Sequence, residues 1–345
     1  MSCSRLVFVC SLVAVVLVGC GPDMDTHVET SSTQAATAAG QSVTAATRSA
    51  IDIPQFQYPE QFNLQSTREL RLFNASGLAE RFEESFHSDG AGQISLMVNS
   101  HAATGMSSWS PPSTELVASY FSRQSYLVKY RDLHLGSRLS LQRNFRWTEQ
   151  PGVVQVAGID CRRINAHSVE GLGDFDFLVA ADSTDLLLGW TTYDVQGNPV
   201  MQMETTSVDF TPDHSGIAWA TPLVAEQPYT DLIDEPLLGF TPITPQYLPP
   251  GFYMLEKRLL LANGILTGLG NIHAALYSDG IHLLFVAQQQ LVSNPTLTFL
   301  SGASLVKFAS IGGIGVAEGD LPGKRIYVVS QLPTEELQTV FGSMF

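Results

Sequence analysis

Much of this chain falls into short runs that are often β-branched or alternate apolar with polar residues, several of them punctuated by Gly or Pro, the pattern of β-strands. The clearest stretch is Phe175 to Ala181, Leu186 to Tyr193 and Pro199 to Phe210, separated by Asp182-Ser183-Thr184 and Gln196-Gly197-Asn198. Two successive hairpins are predicted there. Further strands are predicted at Gln93 to Val98, Ser125 to Leu133, Arg138 to Arg146, Val153 to Ile159 and Arg162 to Ala166. A second series follows: Tyr253 to Leu261, His273 to Ser278, Ile281 to Ala287, Ala303 to Phe308, Ile311 to Glu318 and Lys324 to Val329. Asp279-Gly280 marks a hairpin turn, because glycine accepts a positive φ at no steric cost.

Two stretches carry a helical period instead. Leu70, Phe73, Leu78, Phe82 and Phe86 recur near 3.6 residues with charges between them, which predicts a helix over Thr67 to Phe86. At the end of the chain, Thr334 is a helix N-cap candidate. Glu335 and Glu336 suit the first turn, and Leu337, Val340 and Phe341 form the apolar face.

The first twenty residues differ from everything after them. Met1 to Arg5 is short and positive, and Leu6 to Leu17 is apolar apart from Ser11 and the small Cys10. That run falls short of the roughly 20 apolar residues a membrane-spanning helix needs. It ends in Leu17-Val18-Gly19-Cys20, which resembles the lipobox of bacterial lipoproteins. A thiol at Cys20 is a nucleophile that a diacylglyceryl group can alkylate, and small Gly19 admits a peptidase to the preceding bond. The expectation is a lipid anchor on Cys20 after removal of 1–19. A diacylglyceryl group holds a membrane far more durably than a single chain. Gly21 follows, where an aspartate would argue for inner-membrane retention, so the outer membrane is the preferred destination.

The organisation that follows is a signal peptide over 1–19, a flexible tether over 20–50, a first domain over 51–212, a connection over 213–245 and a second domain over 246–345. The tether is rich in Thr, Ser, Ala and Gln and, as a random coil, spans roughly 30 Å. The connection is rich in proline, with Leu237, Leu238 and Phe240 as its packing cluster and room for one short helix.

Composition narrows the function. Hydrophobic content of 44% against 15% charged residues describes a folding chain rather than a disordered one. With 33 acidic and 18 basic residues the net charge is −15, which repels phosphate backbones, so nucleic acid is not an expected partner. Cys3, Cys10 and Cys20 all fall within the first twenty residues, leaving Cys161 alone in the rest of the chain; no disulfide framework exists, and Cys161 reads as core.

Catalytic patterns are missing. There is no Gly-x-Ser-x-Gly elbow, phosphate-cradling loop or His-Glu-x-x-His run. His273 and His282 could face each other across the Asp279-Gly280 hairpin, yet no cysteine lies nearby to complete a familiar zinc set. Gly312-Gly313-Ile314-Gly315 lacks dinucleotide-binding spacing and reads as a bulged or tightly packed strand. Asp174, Asp176 and Asp182 read as solvated. No catalytic residue, cofactor or metal is expected.

Two blocks of sequence resemble the periplasmic RseB/MucB family, regulators of an envelope-stress sigma factor whose first domain is similar to the lipoprotein carrier LolA. The first block is Val156-Ala157-Gly158-Ile159-Asp160-Cys161-Arg162 with the strands from Phe175 to Phe210. The second is Tyr247-Leu248-Pro249-Pro250-Gly251-Phe252, then Tyr277-Ser278-Asp279-Gly280, Arg325 to Leu332 and a final helix. Pro249-Pro250-Gly251 also has a plain reading as a strand-entry turn, and Tyr277 as filler of a sheet face.

The resemblance implies an α+β, mainly antiparallel architecture. A LolA-like curved half-barrel sheet with helices would precede a smaller antiparallel β domain. It further implies an apolar concavity for acyl chains or a partner segment, and an anti-sigma factor or other envelope protein as partner. The expected role is a lipid-anchored, periplasm-facing binding or regulatory protein without enzymatic activity. A carrier of lipidated cargo and an enzyme of unknown type are the alternatives.

Overall fold

The computed structural model describes residues 49–345 apart from 75, 104–108, 221–224, 262–269, 292–306 and 312–313. Cys20 and the predicted leader and tether up to 48 lie outside the described residues.

The first sheet is built from β1 (Ser49–Ala50), β2 (Asn63–Asn74), β3 (Gly77–Asp89), β4 (Ile94–Ala103), β5 (Phe145–Val156), β6 (Ile159–Ser168), β7 (Asp174–Ala180), β8 (Leu187–Tyr193) and β9 (Pro199–Asp209). Their order is β1-β5-β6-β7-β8-β9-β2-β3-β4, antiparallel throughout. β9 therefore returns to pair with β2, with Leu70 opposite Met203 on one side and Phe82 on the other. Along β2, Leu64, Ser66, Arg68, Leu70 and Leu72 are buried while the residues between them are not, the two-residue period of a strand with one face in the core.

This hairpin corrects the helix predicted over Thr67 to Phe86. Leu70, Phe82 and Phe86 are buried as that reading required, but their separations of 12 and 4 fit a period of 2 as well as one of 3.6. Leu78 decides between the two, since it is exposed at the turn end of β3. The strand predicted over Ser125 to Leu133 is also corrected. Helix α1 (Thr114–Tyr126) runs into a π-helical turn (Leu127–Arg131), and its buried positions Leu116, Tyr120, Gln124, Leu127 and Arg131 recur every three or four residues. The predicted strand over Arg138 to Arg146 is mostly helix α2 (Arg138–Asn144), started by Ser137, whose Oγ accepts from Ser140 N at 3.3 Å. Val153 to Ile159 is not one strand; it spans the tight turn from β5 to β6, where Ala157 and Gly158 both have positive φ.

α1, the π-helical turn and the segment 51–62 lie on one face of the first sheet. There Phe56, Trp147 and Phe177 pack ring to ring, with Phe56 and Phe177 centroids 4.8 Å apart. Leu64, Phe86, Leu96, Leu116, Tyr120 and Val128 fill the other half of the same core. The outward face is polar, carrying Glu69, Arg71 and Gln202 in a hydrogen-bonded row.

The second sheet has the order β10-β11-β12-β13-β16-β15-β14, formed by β10 (Ala225–Pro228), β11 (Tyr253–Leu261), β12 (Ile272–Ser278), β13 (Leu283–Gln290), β14 (Lys307–Ile311), β15 (Ile314–Leu321) and β16 (Lys324–Ser330). A one-turn helix α3 (Glu235–Leu238) precedes β11, and α4 (Thr334–Gly342) closes the chain. Thr334 is the first residue of α4 and Pro333 occupies the cap position, without a side-chain cap; proline there fixes φ, which a helix start tolerates.

α4 packs flat on β15 because two glycines leave room for it. A Cβ at Gly315 would lie 2.7 Å from Leu337 Cδ2, and one at Gly319 would lie 2.7 Å from Phe341 Cζ. For Gly315 this is the tightly packed strand predicted; residues 312 and 313 lie outside the described residues.

Candidate functional site

Beneath α1 the core contains charge. Arg68 and Glu84 stand directly opposite each other on β2 and β3, both pointing inward. Arg68 Nε donates to Glu84 Oε2 at 2.9 Å and its Nη1 reaches Asp132 Oδ2 at 2.7 Å. Arg131, at the end of the π-helical turn, donates to both Glu84 oxygens at 2.5 and 2.8 Å and through Nε to Asp132 Oδ1 at 2.8 Å. The Tyr120 hydroxyl donates to Glu84 Oε1 at 2.9 Å. Two guanidinium groups and two carboxylates thus cancel inside the protein, all nearly inaccessible to solvent.

The electrostatics follow from this enclosure. Burial and the Glu84 charge push the Tyr120 hydroxyl far above its ordinary pKa. Burial alone would weaken Arg131 as a base, but the Asp132 and Glu84 carboxylates outweigh it and hold its proton more firmly than usual. Burial would raise Asp132, and the two arginines reverse that, keeping it below the ordinary carboxylate range. Towards the surface, His134 bridges the Asp132 carbonyl at 2.9 Å and Glu60 Oε1 at 2.7 Å. A second polar tie holds the cover at the sheet edge, where Gln124 Oε1 accepts from the β4 amide of Leu96 at 2.7 Å.

None of these residues was singled out by sequence. The legible trace is Arg68, a charge in step with Leu64, Leu70 and Leu72 on the buried side of an alternating run. Its partners are 16 to 64 positions away, beyond any local pattern.

The two short motifs of the sequence resemblance meet at one side chain. Asn144, the last residue of α2, donates to the carbonyl of Gly251 at 3.0 Å and to that of Asp279 at 2.6 Å. Gly136 N donates to the Gly280 carbonyl at 2.7 Å beside them. Gly280 has φ +117°, and a Cβ there would press on Leu141 Cδ2 at 3.0 Å, so both the turn and the close approach require glycine. Next in the turn, Ile281 enters the first core, and His282 lies between Phe175 and Phe145 with its Nδ1 2.7 Å from Asp279 Oδ2.

That placement corrects the suggestion that His273 and His282 face each other. His273 pairs in register with Gln288 and sits under the Tyr229 ring, while His282 belongs to the junction of the sheets. Among the described residues no group of three or more His, Cys, Asp or Glu is arranged to hold a metal ion. Cys161 is fully buried, its thiol pushed up to about 11 by burial. Asp174 and Asp176 are tied to neighbours, to His167 and the Ser168 amide and to Asn165 and Tyr193 respectively. Asp182 is exposed, and the Thr184 hydroxyl and amide hold it below its usual range. Tyr277 is buried in the second core, as a filler of the sheet face.

No protein-family model matches this chain, and no curated protein does. Among solved structures it is similar to MucB in complex with the periplasmic part of MucA, with TM-score 0.47 and 16% identity over 81% of this chain and 92% of that one. The MucA/MucB complex of Pseudomonas aeruginosa aligns with TM-score 0.41 and 16% identity over the same shares. A putative outer membrane lipoprotein-sorting protein domain from Vibrio parahaemolyticus aligns over 46% of this chain and 88% of its own length, with TM-score 0.20 and 10% identity.

Proposed function

We propose that this chain is a lipid-anchored binding protein of the bacterial envelope, of RseB/MucB type, held to the membrane through Cys20. In this reading the inward face of the first sheet captures an acyl chain or an apolar segment of an anti-sigma-like membrane protein when the α1 cover lifts.

The observation that carries the reading is the buried latch of Arg68, Glu84, Tyr120, Arg131 and Asp132 between cover and sheet. Charges buried in pairs lose in desolvation much of what they gain by attraction. When such a cover lifts, water returns to the ions and offsets the broken contacts, so it opens at a lower cost than a cover sealed by hydrocarbon alone. The apolar surface of Leu64, Phe86 and Leu96 that opening uncovers is then available to an apolar ligand. The same latch supports a role without catalysis, because its titratable groups are consumed by one another and shut away from water. The leader, the lipobox and the two family-like blocks of sequence support the location.

The test is native mass spectrometry of the full chain extracted from a Gram-negative envelope, together with a titration by cis-parinaric acid. Retained mass matching an acylated molecule, or saturable fluorescence displaced by an acylated peptide, is the expected result. A chain that carries no lipid and leaves the probe dark, in both wild type and a Glu84→Leu variant, would refute acyl capture.

A further inference from the structure

We infer that the turn from Thr230 to Leu237 is a rigid docking knob for a partner protein that presents an apolar surface rimmed by lysine or arginine. Three observations on this turn, remote from the latch, lead there.

The first is apolar exposure without collapse. Leu232, Ile233 and Leu237 are 84%, 72% and 52% exposed within six residues of one another, whereas Leu238 next to them is buried against Tyr229 and Leu259. Apolar side chains gathered on a surface mark contact sites more often than chance. Beside them runs a shallow cleft of about 500 Å³ lined by Leu232, Glu235, Pro236, Gly239, Phe240 and Thr241. Knob and cleft together offer a partner both a projection and a recess.

The second is rigidity held against strain. Leu232 has φ +68°, a left-handed conformation that a leucine adopts only when its surroundings impose it. The surroundings do so through Asp234, which is buried: its carboxylate accepts from Thr230 N at 2.7 Å and Gln227 Nε2 at 3.1 Å, and its own amide donates to the Thr230 carbonyl at 3.0 Å. The backbone of the turn is thereby held with Leu232 and Ile233 outward before any partner arrives, so little backbone ordering remains to oppose binding.

The third observation selects the occupant. From Tyr229 to Thr241 the sequence holds Asp231, Asp234 and Glu235 and no basic residue. The cations that approach from the sheet are already engaged, Lys257 with Asp231 at 3.4 Å and Lys324 with the Thr241 carbonyl at 2.6 Å and the Phe240 ring face. Asp234 is buried and Asp231, though 71% exposed, is shared with Lys257, so the carboxylate that the rim offers a partner is chiefly that of Glu235. A second copy of this chain, at net charge −15, and an anionic lipid surface both carry the wrong sign. A cationic amphipathic segment of another protein carries the right one.

The experiment is amide hydrogen exchange across the full chain with three probes. They are an amphipathic helical peptide of leucine and lysine, the same peptide with glutamate in place of lysine, and zwitterionic phosphatidylethanolamine vesicles. Protection confined to the turn and its cleft by the lysine peptide, and not by the other two, is expected. Leu232→Gly removes the side chain while relieving the left-handed strain, so it should weaken that binding at least tenfold with unchanged or raised thermal stability. Glu235→Lys should weaken it too. Protection by vesicles instead, affinity that survives Leu232→Gly, or protection spread over the chain would overturn the inference, as would no protection by the lysine peptide. Acyl binding by the first sheet is unaffected by any of these outcomes.

Discussion

His273 makes a prediction that can be worked through in numbers. Its ring is buried in the second sheet, neither nitrogen has a hydrogen-bond partner, and Tyr229 closes over it at 4.6 Å. Burial, assisted by Lys257 and Lys324 and opposed by Asp231, lowers its pKa from 6.5 to about 4. A histidine depressed in the folded state takes up its proton first in the unfolded chain. Above pH 6.5 neither state is protonated and the residue adds no pH dependence. Below it, protonation of the unfolded chain drains stability at about 1.4 kcal/mol per pH unit. The loss is complete near pH 4, where the depression of about 2.5 units corresponds to about 3 kcal/mol. His273→Phe keeps a ring under Tyr229 and removes the titration. Urea unfolding of both proteins should show a stability difference that is constant above pH 6.5 and shifts in favour of the variant by about 3 kcal/mol between pH 6.5 and pH 4. Parallel curves across that range would refute the argument and show that the native imidazole is protonated as easily as a free one.

The remaining predictions concern packing and the latch. Glu84→Leu leaves two buried arginines facing one carboxylate and should cost about 3–5 kcal/mol in urea unfolding, whereas adding Arg68→Met to it should recover part of that loss. Asn144→Leu strands the Gly251 and Asp279 carbonyls at the junction and should destabilise by about 1–3 kcal/mol, read as faster proteolysis within 210–245. Gly319→Val drives a side chain into the Phe341 ring and should loosen α4 at a cost of about 1–3 kcal/mol, seen as lost exchange protection over Thr334–Gly342. Cys161 should fail to react with a disulfide reagent at pH 8 in the native protein and react at once in denaturant, since its thiol is buried and raised to about 11.

How much of this was legible in the sequence depended on the distance over which each feature is determined. β7 and β9 were readable because each run alternates and is bounded by its own turn residues, whereas β8, β12 and β16 were readable as short, mainly apolar runs between turns, buried at nearly every position. The β2–β3 hairpin was not, because its buried residues satisfy both periods and the turn at Asn74–Gly77 carries too weak a signal to interrupt a helical reading. α1 and the π-helical turn were missed because Leu127, Val128 and Leu133 resemble a strand when the stripe beginning at Leu116 is ignored. The latch was beyond reach: it assembles from residues on β2, β3, α1 and the turn after it, brought together only by the folded sheet. The motifs around Gly251 and Gly280 were visible, yet their common purpose appears only with Asn144 between them.

The strand order of the first sheet also bears on how the chain acquires its structure. β2 has β3 on one side as soon as the hairpin forms, but its other neighbour is β9, and Gln65 waits for Asp209 at a separation of 144 residues. Closing so long a loop is slow, since the entropy is spent before the pairing rewards it. Until then the inner edge of β2 presents unpaired amides and carbonyls to whatever strand is near. A chain emerging amino terminus first therefore passes through a long interval with its central strand unfinished. Its yield in the cell should depend on chaperones that shield that edge more than on the stability of the finished fold.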